Sequence, residues 1–375
     1  MITSPLHLTA LIAVVCAVSF WLDRRFVALS RIGASLLAIG MGAVLANLGI
    51  VPESSPVYDI VAGPLTSLAI VWLLLAVNLK DLRRAGGRML GAFALAVTGT
   101  AAGVGVAAAA FAARFGSQNP ALAGTLMGTY SGGSVNFISV GRGLDLGPRL
   151  FAAATAADNV TTALWLAANI VLPVALARWF PWPVPRGVTG KTHEAHHPFF
   201  DAAPLSASHL ALLLAIGLTL VTAAAALGRA WPIVQPVVWL TTLALAVGHL
   251  PPVARLRGSM QMGNLALNLF FVGVGIHSRV DRILAVGLSV FFYTLLVVAV
   301  HGVVVYGVGR LLRLDLGTLT IASQAAIGGP SSAIAVAAGR GWQGLVLPGI
   351  IVGLLGYAVG TYLGFGIAAV VSAFT

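Results

Sequence analysis

Two stretches carry the residue types that could do chemistry in this chain. TYSGGSVNF at 129–137 and SQAAIGGPSSA at 323–333 each set a Gly-Gly pair among small hydroxyl and amide side chains, inside otherwise hydrophobic sequence. Glycine loosens a helix and lets another backbone approach, and Pro330 has no N–H, which leaves the carbonyl near Ala326 without its helical partner. Freed carbonyl groups at bilayer depth can coordinate a cation, and N–H groups at the start of a half-helix can hold an anion. The candidate substrate- or ion-binding positions are therefore Thr129, Ser131, Gly132, Gly133, Ser134 and Asn136 in the first stretch. In the second they are Ser323, Gln324, Gly328, Gly329, Pro330, Ser331 and Ser332. Against this stands a packing role, because small residues are common where transmembrane helices touch and the chain has 44 glycines.

Asp158, in FAAATAADNVTTALW, is the one acidic side chain that falls well inside an expected span. A carboxylate at that depth is costly and faces a partner or water, so Asp158 is the candidate Na⁺ or proton site, with oxygens from Asn159, Thr161 and Thr162 nearby. The alternative is a span that starts later and leaves Asp158 at the interface or at a helix cap. Asn264 and Asn268 lie four apart on one helical face, where Asn268 serves either an interhelical hydrogen bond or a substrate contact. His193, His196, His197 and His209 sit in or near a polar, proline-rich segment whose HEAHH suggests zinc, but no other metal-binding residue is fixed nearby on a predicted helix, and that segment reads as a loop. No phosphate loop or dinucleotide fingerprint occurs, so no enzyme activity and no cofactor is expected, apart from Na⁺ as a coupling ion.

The elements that must position these residues follow from composition. Of 375 residues, 59% are hydrophobic and 8% charged, against about 25% charged in soluble domains. Apolar runs near the roughly 20 residues needed to cross a bilayer recur along the chain. They fall near 6–22, 29–50, 57–79, 89–112, 120–141, 150–178, 206–227, 232–250, 260–277, 283–306, 317–338 and 343–372. This is the pattern of an all-α polytopic membrane protein of the inner-membrane type, since an open sheet would leave backbone groups unsatisfied in lipid. The N-terminal stretch lacks a charged region and a cleavage site and reads as a retained helix. The single Cys16 excludes an internal disulfide. The net charge of +11 comes from Lys and Arg scattered between spans, which argues for anchoring in the bilayer and against nucleic-acid binding.

A proline-rich linker, 179–205, divides the chain into an N-terminal repeat, 1–178, and a C-terminal repeat, 206–375. The fifth and eleventh spans hold the Gly-Gly motifs at matching places. In the first half Arg24, Arg25, Arg31, Lys80, Arg83, Arg84, Arg88, Arg142 and Arg149 fall on one side, against Arg114 on the other. A parallel second half would put Arg178, Arg186, Lys191, Arg255, Arg257, Arg310 and Arg313 outside, so the positive-inside tendency favours inverted repeats. Inversion needs an odd number of crossings between matching spans, and one of the twelve is then re-entrant, split or misread.

GTYSGGSVNFISVGRGL, AADNVTTALW and ASQAAIGGPSSAIAVAAGRGWQGLVLPGIIVGLLGYAVGTYLG together resemble a bacterial and plant family of integral membrane proteins, domain of unknown function 819, over nearly the whole chain. That family resembles, at a distance, the bile acid:sodium symporters and related inverted-repeat transporters. The resemblance implies two discontinuous helices that cross, marked by TYSGGSVNF and QAAIGGPSS, with Asp158 and Asn159 beside the first. It also implies a multi-pass protein of the bacterial plasma (inner) membrane. The expected function is secondary active transport of a small anionic organic solute driven by Na⁺ or H⁺. A cation/proton antiporter and a non-transporting membrane scaffold are the alternatives. The expected partners are the lipid bilayer, a small-molecule substrate and a second copy of the chain in a homodimer.

Overall fold

The computed structural model describes residues 4–26, 29, 34–179, 182, 205–276, 280–340 and 342–374, and among them there is no strand. Among the described residues, thirteen helices longer than a single turn follow in order: α1 (Pro5–Arg25), α2 (Ala34–Asn47), α3 (Pro56–Leu75), α4 (Gly87–Ala110), α5 (Asn119–Thr129), α6 (Ser134–Gly143), α7 (Pro148–Trp179), α8 (Ala207–Ala230), α9 (Pro236–Gly248), α10 (Ser259–Ile276), α11 (Val280–Leu311), α12 (Leu316–Gly339) and α13 (Val346–Ser372). Eight helices among the described residues are long and apolar enough to cross a membrane. The chain is an all-α polytopic membrane protein, and each of the twelve expected spans coincides with a helix or, at 120–141, with the pair α5 and α6. Of the linker 179–205, residues 180, 181 and 183–204 lie outside the described residues, as do His193, His196 and His197.

Local chemistry sets the helix ends. α1 starts on Pro5, whose missing N–H costs nothing at a first helical position, and ends on Arg24 and Arg25, which complement the negative end of the helix dipole. α2 stops at a Schellman turn: Gly49 has φ 68°, its N–H donates to the Ala46 carbonyl, and the Ile50 N–H donates to the Leu45 carbonyl. In α3, Pro64 forces a wide turn over Val61–Leu65, and the Thr66 hydroxyl donates to the Val61 carbonyl at 2.7 Å. α12 is opened by Asp315, whose carboxylate accepts the Thr318 N–H and the Thr318 hydroxyl, both at 2.8 Å.

The chain forms two compact units that interleave in sequence. The first comprises residues 1–76, 147–159 and 203–290, and the second 77–146, 160–202 and 291–375. Each unit draws on both sides of the linker. In the first, α10 packs on α2 and α3, while α8 and α9 flank α3. Of the apolar window of α10, 72% is buried, against 22% for α8, so α10 is the core of this unit and α8 its perimeter. α2 and α10 cross at glycine: a Cβ on Gly42 would lie 2.5 Å from the Val272 carbonyl oxygen.

In the second unit α13 is the spine, in contact with α4, α5, α6 and α12. Its glycines at 349, 353, 356, 360 and 364 recur at intervals of three or four residues and so line one face. At three points along that face backbones meet directly. A Cβ on Gly132 would lie 2.5 Å from the Gly356 oxygen, one on Gly124 2.7 Å from the Gly364 oxygen, and one on Gly353 2.8 Å from the Pro330 nitrogen. Helix association in lipid has little hydrophobic drive and depends on this close van der Waals packing. Gly356→Ala should therefore lower stability by about 1–3 kcal/mol, the usual range for overpacking. Gly366, whose Cβ would meet nothing within 4 Å, should accept Ala without loss. Thermal unfolding of the two variants in detergent measures the contrast.

Candidate functional site

Both Gly-Gly motifs interrupt a helix in the second unit. α5 ends at Thr129, whose carbonyl accepts the N–H groups of Gly132 at 3.2 Å and Gly133 at 2.6 Å, and α6 restarts when the Asn136 N–H donates to the Gly133 carbonyl. α12 is interrupted at Gly329, and Pro330 follows as the first residue of the resumed helix. The second glycine of each pair has the same unusual backbone. Gly133 sits at φ 118°, ψ −173°, and Gly329 at φ 75°, ψ −173°. Only glycine occupies that region readily. This is why each interruption carries glycine at that position.

The two interruptions touch. A Cβ on Gly133 would lie 3.7 Å from the Gly329 Cα, and one on Gly329 would lie 3.0 Å from the Gly132 carbonyl oxygen. The Tyr357 ring of α13 lies against both, its Cε1 3.3 Å from the Gly133 Cβ position and its hydroxyl 3.6 Å from that of Gly329. Two helix N-termini thus start at one point, those of α6 and of the second half of α12. First-turn N–H groups lack intrahelical partners and carry the positive end of the helix dipole.

Side chains around this crossing divide by task. The Asn136 amide clamps α6 to the spine: its Nδ2 donates to the Gly356 carbonyl at 2.9 Å and its Oδ1 accepts the Thr361 hydroxyl at 3.0 Å. The Ser131 hydroxyl, just past the end of α5, donates back to the Met127 carbonyl of that helix. Thr129 is buried, and Ser134 is half-buried at the first position of α6. The Ser332 hydroxyl turns back to the carbonyls of Gly329 at 3.0 Å and Gln324 at 3.3 Å. The side chain of Ser331 lies outside the described residues.

Gln324 and Ser323 end two chains of hydrogen bonds that converge on α12. In the first, the Thr320 hydroxyl donates to Tyr306, whose hydroxyl donates to Asn169 Oδ1 at 2.6 Å, and Asn169 Nδ2 donates to Gln324 Oε1 at 2.7 Å. This polarity turns Gln324 Nε2 away from its neighbours. That nitrogen is buried without a hydrogen-bond partner and lies 2.8 Å from the Cβ position of Gly328. The second chain joins Trp165, Ser323, His301 and Thr100 to the Tyr130 carbonyl in the first interruption.

Three of the expected site residues belong to the first unit. Asp158 is 9% exposed on α7, and Asn159 donates from Nδ2 to the Thr155 carbonyl at 2.9 Å. Asn268 donates to the Ser19 hydroxyl at 2.7 Å and to Cys16 Sγ at 3.5 Å, joining α10 to α1. Among the described residues no three His, Cys, Asp or Glu side chains gather as a metal site. The residues that sequence reasoning passed over are Thr100, Trp165, Asn169, His301, Tyr306, Thr361 and Tyr357. His301 alone carried a signal, as an ionisable residue in the middle of LLVVAVHGVVVYG.

A family model described as protein of unknown function (DUF819) matches residues 10–374, and the chain belongs to that family. The chain is also similar to the uncharacterized membrane protein YjcL of Bacillus subtilis (strain 168), with 27% identity over 372 residues, covering 94% of this chain and 93% of that one. The family description leaves the crossing as the strongest guide to activity. Asn136→Leu should remove both bonds of the clamp and leave the buried Thr361 hydroxyl without its Asn136 acceptor. The expected loss is about 1–3 kcal/mol for a buried group left unpaired, read as a lower unfolding midpoint, with the Asn136→Ala variant falling in the same direction.

Proposed function

We propose that this member of the DUF819 family is a secondary active transporter of a small anionic organic solute, coupled to Na⁺ or H⁺, in the bacterial plasma membrane. The observation that carries this reading is the meeting of two Gly-only helix interruptions, each followed at once by a helix N-terminus. A packing motif needs small residues but has no use for a broken backbone. Unwound segments at membrane depth are tolerated where they are buried in protein or line a cavity, and discontinuous helices form the substrate sites of many transporters.

The sign of the solute follows from what the crossing offers. Two positive helix ends and the unpartnered Gln324 amide nitrogen are all hydrogen-bond donors. Donors converging on one point suit carboxylate oxygens better than a cation, which favours solute transport over cation/proton antiport. Inverted repeats, with α5–α6 and α12 as counterparts, would bring the two ends together from opposite sides of the bilayer. Asp158, buried on α7, is the candidate for the coupling ion.

Uptake into proteoliposomes tests this reading. A panel of radiolabelled small mono- and dicarboxylates, offered under imposed Na⁺ or H⁺ gradients, should contain at least one member that accumulates. Gln324→Leu should cut that uptake at least tenfold while the protein stays folded, since a charged group loses a hydrogen bond worth about 1.5–3 kcal/mol. Asp158→Asn should leave solute binding intact and abolish the dependence on the gradient. Proton movement in dye-loaded vesicles on adding a cation alone, with no carboxylate uptake, would favour the antiporter instead.

A further inference from the structure

The first hydrogen-bond chain decides which end of the Gln324 amide faces the break. Asn169 Oδ1 can only accept, and it takes the single hydrogen of the Tyr306 phenol at 2.6 Å. The phenol oxygen in turn accepts from the Thr320 hydroxyl, 3.2 Å away. Asn169 then has its nitrogen left for Gln324, and Nδ2 donates to Oε1 at 2.7 Å. Gln324 Nε2 keeps its hydrogens with no partner. Asn169 on α7, Tyr306 on α11, and Thr320 and Gln324 on α12 are all buried, and all belong to the second unit.

Gly328 makes room for that nitrogen. A Cβ there would lie 2.8 Å from Nε2 and would also strike the Ser332 hydroxyl. Ser332 is the third residue of the resumed helix, so Nε2 sits beside the first turn of that helix. The Ser332 hydrogen is already engaged by the carbonyls of Gly329 and Gln324. A ligand at this place therefore meets donors, the Gln324 amide and the first-turn N–H groups. A network serving packing alone gains nothing from this direction. Run the other way, from Gln324 to Thr320, the chain would leave the Gln324 oxygen at the break, and the Thr320 hydrogen could go to the carbonyl one turn back. An unpaired carbonyl is easier to bury than an unpaired N–H.

We propose that Tyr306 and Asn169 set the specificity of the crossing: by holding Gln324 as a donor, they make it select a carboxylate over the carboxamide of the same skeleton. The proposal rests on the transport reading and sharpens its substrate class. A carboxylate offers acceptors to every donor present. A carboxamide offers one acceptor and turns its NH₂ against donors, and a buried N–H left unpaired costs a factor of about ten or more in binding. Tyr306 and Asn169 act through Gln324 and are positioning residues.

Full-length protein in lipid nanodiscs, labelled with ¹⁵N in its Asn and Gln side-chain amides, gives the readouts. Gln324→Leu and Asn169→Leu identify the two signals by their loss. Without solute, the Asn169 amide should show a hydrogen-bonded proton and the Gln324 amide none. Acetate and acetamide, lactate and lactamide, and succinate and succinamide are then titrated as pairs. At least one carboxylate should shift the Gln324 signal at a concentration about tenfold or more below that of its amide. Tyr306→Phe removes the hydrogen that orients Asn169, so both amides can turn over, and the preference should fall to about threefold or less. Thr320→Val, at an equally buried site, leaves the phenol hydrogen Asn169 as its acceptor and should keep the full preference. Asn169→Leu frees Gln324 Oε1 and should act as Tyr306→Phe does, which carries the comparison if the phenylalanine variant does not fold. A Gln324 amide hydrogen-bonded in the absence of solute, a signal that no carboxylate moves, a preference unchanged by Tyr306→Phe or Asn169→Leu, or an equal loss in Thr320→Val would each overturn the proposal. Selective carboxylate binding of the expected pattern, with no accumulation under either gradient, refutes secondary transport and leaves the specificity assignment standing. Carboxylate uptake whose preference over the amide survives Tyr306→Phe refutes the assignment and leaves transport standing.

Discussion

An interrupted helix inside a bilayer exposes backbone groups that lipid cannot satisfy, at a cost of several kcal/mol for each group left unpaired. The second unit contains two such interruptions in contact, and its packing answers that constraint. Protein must surround the breaks closely enough to exclude lipid, and the glycine face of α13 allows this. Gly356 admits the first interruption and Gly353 the second, because neither places a Cβ between the backbones. Asn136 completes the enclosure by bonding a carbonyl on the spine, and Thr361 on the spine bonds Asn136 in return.

Within that enclosure the polar side chains are ordered by direction. Hydroxyls and amides can donate or accept, so a chain of them takes its polarity from groups with no choice. The Trp165 N–H can only donate and the Tyr130 carbonyl can only accept, which orients everything between them, the histidine included. In the other chain the Tyr306 phenol donates to Asn169, and the amide that follows must then present its nitrogen to Gln324 and leave the Gln324 nitrogen facing the break. The chemistry offered at the crossing is thus determined by residues well away from it in sequence.

Much of the architecture was legible in the residues themselves. The spans were visible because bilayer thickness imposes a length on apolar runs. The two breaks were visible because few residues tolerate a break: Gly133 and Gly329 occupy a region of backbone space closed to other side chains, and Pro330 cannot continue a hydrogen-bond ladder. Residue type did not reveal task. Asn136, Ser131 and Ser332 look alike as polar residues in an apolar stretch. One clamps the spine and two bond carbonyls three or four residues before them in the same stretch. His301 was passed over because its partners, Thr100, Trp165 and Ser323, lie on three other helices.

The chain alone determined that this is a helical membrane protein with two helices broken at related glycine pairs, since hydropathy, helix length and glycine-only backbone geometry are local properties. The tertiary structure decided that the breaks meet, that α13 is the surface on which they meet, and that the segments sort into two interleaved units. It also decided which polar atoms are spent on holding the fold, and it leaves Gln324 Nε2 buried without a hydrogen-bond partner beside Gly328. Those outcomes depend on distances of three or four ångströms between residues separated by as many as 252 positions. No local property of the sequence encodes such distances, because they arise when helices pack.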